Sequence, residues 1–77
     1  MNIDYKAMKL LENYIRSTTD QPFECRVIHK TQVFNNVQWI FGCNLECIFI
    51  VSYDGYRNHW HLEKYVREAG QVIEGDD

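Results

Sequence analysis

Apolar residues at every second position dominate the middle of this chain and restrict what it can fold into. Residues 37–41 and 45–53 carry an apolar side chain at almost every odd position. Residues 23–27, Phe-Glu-Cys-Arg-Val, show the same alternation. Such a pattern is typical of β-strands with one buried face, so we predict three strands. Their predicted buried side chains are Phe23, Cys25, Val27, Val37, Trp39, Phe41, Leu45, Cys47, Phe49 and Val51.

Short polar or glycine-containing segments separate these strands. Asn35-Asn36 and Gly42-Cys43-Asn44 are predicted hairpin turns, and Asp54-Gly55 is predicted to end the third strand. Consecutive strands joined by such short turns pair in an antiparallel meander.

A helix is predicted before the strands, over residues 4–16, with Asp4 as its N-cap. It ends in residues 17–22, Ser-Thr-Thr-Asp-Gln-Pro, because the residue before a proline is disfavoured in a helix. The apolar side chains with helical spacing are Ile3, Ala7, Leu10, Leu11, Tyr14 and Ile15.

The segment after Asp54-Gly55 fits two structures. Apolar residues at 62, 65, 66 and 69 have the i, i+3, i+4, i+7 spacing of a second helix, and Gly70 suits its end. A fourth strand through residues 56–60 is the alternative, because Asp-Gly is also a good hairpin turn. With the helix preferred, we predict one α+β domain over residues 1–70. Its order is α-β-β-β-α: a three-stranded antiparallel meander with N- and C-terminal helices. Residues 71–77 follow as a solvated acidic tail.

Charge is spread evenly over the predicted domain. The chain has 8 basic and 11 acidic residues, and three of the acidic ones, Glu74, Asp76 and Asp77, lie in the tail. Non-specific nucleic-acid binding depends on a concentrated positive field, so this balance argues against it. The α-β-β-β-α order nevertheless resembles that of double-stranded-RNA-binding domains. That resemblance implies RNA contacts by the first helix, through Lys6, Lys9 and Arg16. A nucleic-acid-binding or transcription-modulating module is therefore the alternative function.

The three cysteines cannot all pair within one chain. The first fifteen residues are too charged for a signal peptide, so we expect three free thiols and a cytoplasmic location. Cys43 and Cys47 precede His59 and His61 closely enough to suggest a zinc-stabilised mini-domain as a second alternative. Zinc sites normally use a C-x2-C knuckle or an H-x3–5-H pair, and neither occurs here, so we predict no metal ligands.

No set of residues in the sequence predicts catalysis. Cys25 and His29 are four positions apart on one strand, which separates them by about 13 Å. The carboxylates occur singly, and the four glycines are isolated, so there is no phosphate-binding loop. We therefore predict that the protein is not an enzyme and needs no cofactor.

Two groups of residues suggest binding to another protein. The first is a set of isoleucines in the outward phase of the strands: Ile28, Ile40, Ile48 and Ile50. Contiguous apolar patches mark partner contacts; the competing explanations are a covering helix or a bulge that reverses part of a strand. The second group is a ridge near the Asp54-Gly55 turn, with the side-chain types common in binding hot spots: Tyr56, Arg57, His59 and Trp60.

The predicted function is that of a small non-catalytic protein-binding factor. Inhibitors, adaptors and immunity-type proteins of this kind are often encoded by phages or other mobile elements. A homodimer through the sheet face is one form that such binding would take.

Overall fold

One helix and five strands make up this computed structural model, which describes residues 2–44, 46–66 and 72–76. The elements are α1 (Ile3–Thr18), β1 (Cys25–Val33), β2 (Asn36–Cys43), β3 (Cys47–Asp54), β4 (His59–Val66) and β5 (Val72–Asp76). The strands form one antiparallel sheet in the order β1-β2-β3-β4-β5. The predicted α+β class is confirmed, whereas the predicted three strands and C-terminal helix are not.

Helix α1 follows the apolar periodicity that predicted it. Ala7, Leu11 and Ile15, spaced four residues apart, are buried on the face that packs against the sheet. Its N-cap is Asn2 rather than Asp4, because the Asn2 side chain accepts hydrogen bonds from the backbone N–H groups of Asp4 and Tyr5. Asp4 instead places a negative charge in the first turn, where the helix dipole favours it.

The core lies between α1 and one face of the sheet. The buried strand residues are Val37, Trp39, Phe41, Cys47, Phe49, Val51, Trp60 and Leu62. Burying an apolar side chain of this size contributes roughly 1.5–3 kcal/mol relative to leaving it exposed. Six of these residues were in the predicted buried set, and Phe23 and Cys25 pack against them at the edge. Val27 was predicted to be buried but is 48% exposed, and Leu45 lies outside the described residues.

The predicted second helix is wrong, because His59–Val66 forms strand β4. Its register with β3 pairs Leu62 with Val51 and Trp60 with Tyr53, which carries the alternating Trp60 and Leu62 side chains into the core. Without β4, strand β3 would expose a full edge of unpaired backbone groups. The sheet pairing therefore outweighs the helical spacing of residues 62–66. Ala69 and Gly70, which completed the helical pattern, lie outside the described residues.

The turns lie close to their predicted positions. Phe34 and Asn35 connect β1 to β2, one residue earlier than predicted, and Phe34 has a positive φ of 56°. The second turn was predicted at Gly42-Cys43-Asn44 but begins two residues later, at Asn44, because Gly42 and Cys43 still pair with β3 as part of β2. Strand β3 ends at Asp54 as predicted, and a turn over residues 55–58 leads into β4.

Strand β1 lies at one edge of the sheet and contains a bulge. Val27 pairs with Phe41 and His29 with Ile40, so Ile28 is the extra residue. Every residue of β1 after Cys25 is exposed. At the other edge, residues 72–76 were predicted to lie in a frayed tail, but they pair with β4 as β5. The predicted boundary after residue 70 falls in 67–71, outside the described residues. In the described part of the chain, no helix combines the length and apolar character needed to cross a membrane.

Candidate functional site

The sheet face turned away from α1 is covered by no helix or second sheet among the described residues. We refer to this surface as the open face. The register of β1 to β4 arranges its side chains in four rows across the strands. In sequence order of the strands, the rows are Arg26–Gly42–Ile48–Tyr65, His29–Ile40–Ile50–Glu63, Thr31–Gln38–Ser52–His61 and Val33–Asn36–Asp54–His59.

The predicted isoleucines form one cluster on this face. Ile40 and Ile50 are direct cross-strand partners, and Ile48 is opposite Gly42. Ile28 projects from the bulge over Gly42, where its Cδ1 lies 2.7 Å from the position that a Cβ on Gly42 would take. Gly42 therefore leaves room for the Ile28 side chain. Ile28 is 57% exposed and Ile48 44% exposed, whereas Ile40 and Ile50 are half-buried.

The opposite end of the open face is polar except for Val33, which is exposed at its β1 edge. Ser52 is opposite His61, and Asp54 is opposite His59, so these four side chains lie on one face of two neighbouring strands. They line a shallow hollow of about 320 Å³ together with Thr31, Asn36 and Gln38. The open face thus combines an apolar half with a hydrogen-bonding half, as protein-binding surfaces commonly do.

A carboxylate on β4 is held in place by its neighbours along the strand. His61 Nε2 lies 3.4 Å from Glu63 Oε1, and the Tyr65 hydroxyl donates a hydrogen bond to Glu63 Oε2. Glu63 is therefore fixed beside Ile50, its partner on β3. An ionised carboxylate accepts about four hydrogen bonds, so Glu63 retains capacity for a further donor.

The second predicted group, the ridge of residues 56–60, is not a single surface. Tyr56 and Arg57 are exposed in the β3–β4 turn, and His59 lies on the open face. Trp60 is only 3% exposed and packs in the core, stacked on Trp39 at 5.7 Å and tilted against Tyr53 at 4.5 Å between ring centroids. Consecutive strand residues point to opposite faces, so His59 and Trp60 cannot contact the same partner.

The cysteines differ from their predicted state. Cys25 and Cys43 are directly opposite on β1 and β2 and are joined by a disulfide, with their Cα atoms 4.4 Å apart. Cys47 is the free cysteine among the described residues, and burial raises the pKa of its thiol. Disulfides are rare in cytosolic proteins, so the cysteines no longer support a cytoplasmic location.

The register also separates the residues of the zinc alternative. Cys43 and Cys47 are partners on the helix-covered face, whereas His59 and His61 lie on the open face. One ion cannot reach both sides of a sheet, and the Cys43 sulfur is already bonded to Cys25. No group of three or more potential metal ligands is assembled among the described residues.

The basis of the nucleic-acid alternative is also lost. The order of elements is one helix followed by five strands, not α-β-β-β-α. The basic side chains of α1 contact neighbouring rings: Lys6 lies over Trp60, Lys9 over Tyr5 and Arg16 over Phe23.

Sequence reasoning missed several features of the open face. The alternating run His59, His61, Glu63 and Tyr65 is out of phase with Trp60 and Leu62, which is the pattern of a strand with one polar face. Reading residues 59–66 as a strand would have placed these four side chains beside the isoleucines. The role of Gly42 depends on the β1 bulge, for which the sequence contains no distinct signal.

The fold and the site together define a small α+β protein whose antiparallel sheet is covered by a helix on one side and open on the other. No protein-family model, curated protein or solved structure matches the chain.

Proposed function

We propose that this protein is a non-catalytic binding factor that docks another folded protein against its open face. The observation that supports this proposal most directly is the cluster of Ile28, Ile40, Ile48 and Ile50 on a face that no described element covers. Taking an apolar side chain from full exposure to full burial contributes roughly 1.5–3 kcal/mol, and each of these partly exposed isoleucines would gain the fraction of that value that corresponds to its remaining exposure. A partner surface supplies that burial.

The polar half of the open face supports specificity of docking. Gln38, Ser52 and His61 present donors and acceptors next to the apolar cluster. Buried hydrogen-bonding groups reject partners that leave them unpaired, at a cost of about 1–3 kcal/mol each. A face with an apolar half and a polar half suits an inhibitor, an adaptor or an immunity-type protein, each of which acts by occupying a partner surface.

The test compares capture of partners by the wild type and by the double variant Ile48→Thr/Ile50→Thr. Threonine keeps the β-branched side chain that strands favour but makes the face polar. The matched control is Tyr56→Ser, which removes an exposed aromatic side chain, 83% exposed, away from the open face. We expect the wild type and the control to retain the same partner, including a second copy if that is the partner, and the double variant to lose it.

Retention of the same partners by all three proteins would contradict the proposal. So would a wild type that is monomeric and retains nothing. Circular dichroism verifies that the double variant is folded; if it is not, Ile48→Thr alone changes the more exposed of the two side chains and replaces it in the comparison.

A further inference from the structure

Two copies of the open face are complementary to each other when one is turned about an axis parallel to the strands. Such a rotation, with the axis between β2 and β3, places β1 of one copy over β4 of the other and β2 over β3. Each row of side chains then faces the same row of the other copy, running in the opposite direction. Because the rows are known from the register, every facing pair can be named.

The central apolar row is self-complementary under this rotation. The row His29–Ile40–Ile50–Glu63 faces Glu63–Ile50–Ile40–His29 of the other copy. Ile40 therefore meets Ile50 twice at the centre, and the His29 imidazole meets the Glu63 carboxylate at both sides. His61 and Tyr65 already fix Glu63 in position, so little side-chain freedom is lost when a donor reaches it.

The flanking rows agree with this arrangement. Arg26 faces the Tyr65 ring of the other copy, which is a suitable acceptor for a guanidinium. In the polar row, Gln38 faces Ser52. No facing pair in these rows brings two charges of the same sign together.

The charge distribution favours the same orientation. On the open face, strand β1 carries Arg26 and His29 and no acidic residue, because Lys30 lies in the opposite phase and pairs with Asp4. Strand β4 carries one acidic residue, Glu63, on this face, and its Lys64 lies in the opposite phase. A rotation that places β1 of one copy over β4 of the other therefore brings basic side chains to the Glu63 carboxylate, and electrostatic complementarity of this kind selects orientation and partner.

We infer that the open face binds a second copy of this chain, in a two-fold symmetric dimer that packs sheet against sheet with His29 on Glu63 and Ile40 on Ile50. This inference rests on the proposed function, because it names the partner of the same face. Packed sheets keep their strand directions within about 30° of each other, which preserves the central contacts. The four rows span about 20 Å by 20 Å at ordinary strand spacing and rise, a small interface. We expect a dimer that dissociates on dilution.

The experiment exchanges the charges of the His29–Glu63 contact and measures mass by sedimentation velocity over a concentration series. His29→Glu places two carboxylates in contact, and Glu63→Lys places an ammonium group against His29 and Arg26. Each variant alone should dimerise at least about tenfold more weakly than the wild type, because His29→Glu brings two carboxylates into contact, which costs several kcal/mol, and Glu63→Lys removes the acceptor for His29 and adds a positive charge near Arg26. An equimolar mixture of the two variants should recover the dimer. The carboxylate introduced by His29→Glu then faces the ammonium introduced by Glu63→Lys, while the native contact remains at the other side.

Two control variants keep the charge changes but move them off the open face. Gln32→Glu introduces the same charge on β1 at a position paired with the core residue Val37, and Glu12→Lys reverses a carboxylate on α1, which packs on the other face of the sheet. Both should dimerise like the wild type. Recovery in the mixture also shows that the two charge variants are folded.

Three results would overturn the inference: a wild type that stays monomeric at every concentration, single variants that dimerise like the wild type, or a mixture that stays monomeric. A monomeric wild type would leave the proposed function standing if a different protein is captured through Ile48 and Ile50. If nothing is captured either, both fail.

Discussion

Trp39 and Trp60 stack in the core with their ring planes 16° apart, yet only Trp39 has a hydrogen-bond acceptor for its indole N–H among the described residues. Trp39 Nε1 donates to Asp4 Oδ1 at 2.7 Å, which ties β2 to the first turn of α1. Trp60 Nε1 is buried without such a partner. A buried polar group without a partner costs about 1–3 kcal/mol.

This difference predicts unequal effects of the same substitution. Trp39→Phe removes a hydrogen bond to a charged group, whereas Trp60→Phe removes a donor that is unsatisfied. Each tryptophan is almost fully buried and has a lysine 5.8 Å from its ring, Lys30 or Lys6, so the lost contacts are otherwise similar. We expect Trp39→Phe to lower the free energy of unfolding by about 1 kcal/mol more than Trp60→Phe. Urea denaturation measures both values, and equal losses would contradict the prediction.

The carboxyl group of Asp4 is predicted to make stability depend on pH. The ammonium of Lys30, 2.8 Å away, and the indole N–H of Trp39 hold the pKa of Asp4 below its usual value of 3.8. A lowered pKa means that the stabilisation is complete above the unfolded-state pKa and is lost as pH falls through the folded-state pKa. Because Asp4 is exposed, we expect a contribution below about 1 kcal/mol.

The variant Asp4→Asn tests this dependence. The difference in unfolding free energy between wild type and Asp4→Asn should be present at neutral pH and should decrease as the pH falls below about 4. Glu12→Gln, which also removes a carboxylate from α1, is the control. A wild-type advantage that is unchanged in acid would show that charge at Asp4 does not stabilise the fold.

Removal of the disulfide is predicted to have the largest effect on stability. Cys25 and Cys43 are 18 positions apart in sequence, and closing a loop of this size stabilises a fold by about 3 kcal/mol. Cys25→Ser/Cys43→Ser should therefore lower the melting temperature strongly. A reducing agent should destabilise the wild type and the control Cys47→Ala but leave the double variant unchanged. Equal melting temperatures with and without reductant would refute the assigned bond.

Two glycines are predicted to respond differently to alanine. A Cβ on Gly55 would lie 2.8 Å from the backbone oxygen of Asn35, which also accepts the Gly55 N–H at 2.8 Å. Backbone cannot yield as a side chain does, so Gly55→Ala should cost about 1–3 kcal/mol. At Gly42 the nearest atom is the end of the exposed Ile28 side chain, which can rotate away. Gly42→Ala should change stability by less than about 0.5 kcal/mol, as measured by thermal melting.

The parts of the fold that depend on local patterns were predictable from the sequence. Alternation over residues 37–53 gave two strands in the correct phase, and helical spacing gave α1. In residues 59–66 the apolar side chains fit both the two-residue period of a strand and the 3.6-residue period of a helix, and so short a segment does not distinguish the two. Backbone pairing with the otherwise open edge of β3 favours the strand, and that edge exists only once the sheet is assembled.

Properties that depend on register were predictable only in part. The outward phase of Ile40, Ile48 and Ile50 follows from alternation alone. The Cys25–Cys43 bond requires those two residues to be opposite across a hairpin whose strand contains a bulge. Composition and spacing carry no information on such a partnership. Trp60 was assigned to an exposed ridge for a different reason: residues 59–66 were predicted to be helical, whereas the alternation of a strand places Trp60 in the core with Leu62.

The disulfide and the turn at Phe34-Asn35 together make residues 25–43 a closed covalent ring. Phe34 is 90% exposed, and exposed turns are where proteases cut most readily. A single cut there opens the ring without releasing either piece, since Cys25 and Cys43 still join the two halves. The nicked chain would have nearly its intact mass without a reductant and would separate into two fragments with one. Each fragment would keep one partner strand of the hairpin, so β1 remains anchored beside β2 after its connecting peptide is lost.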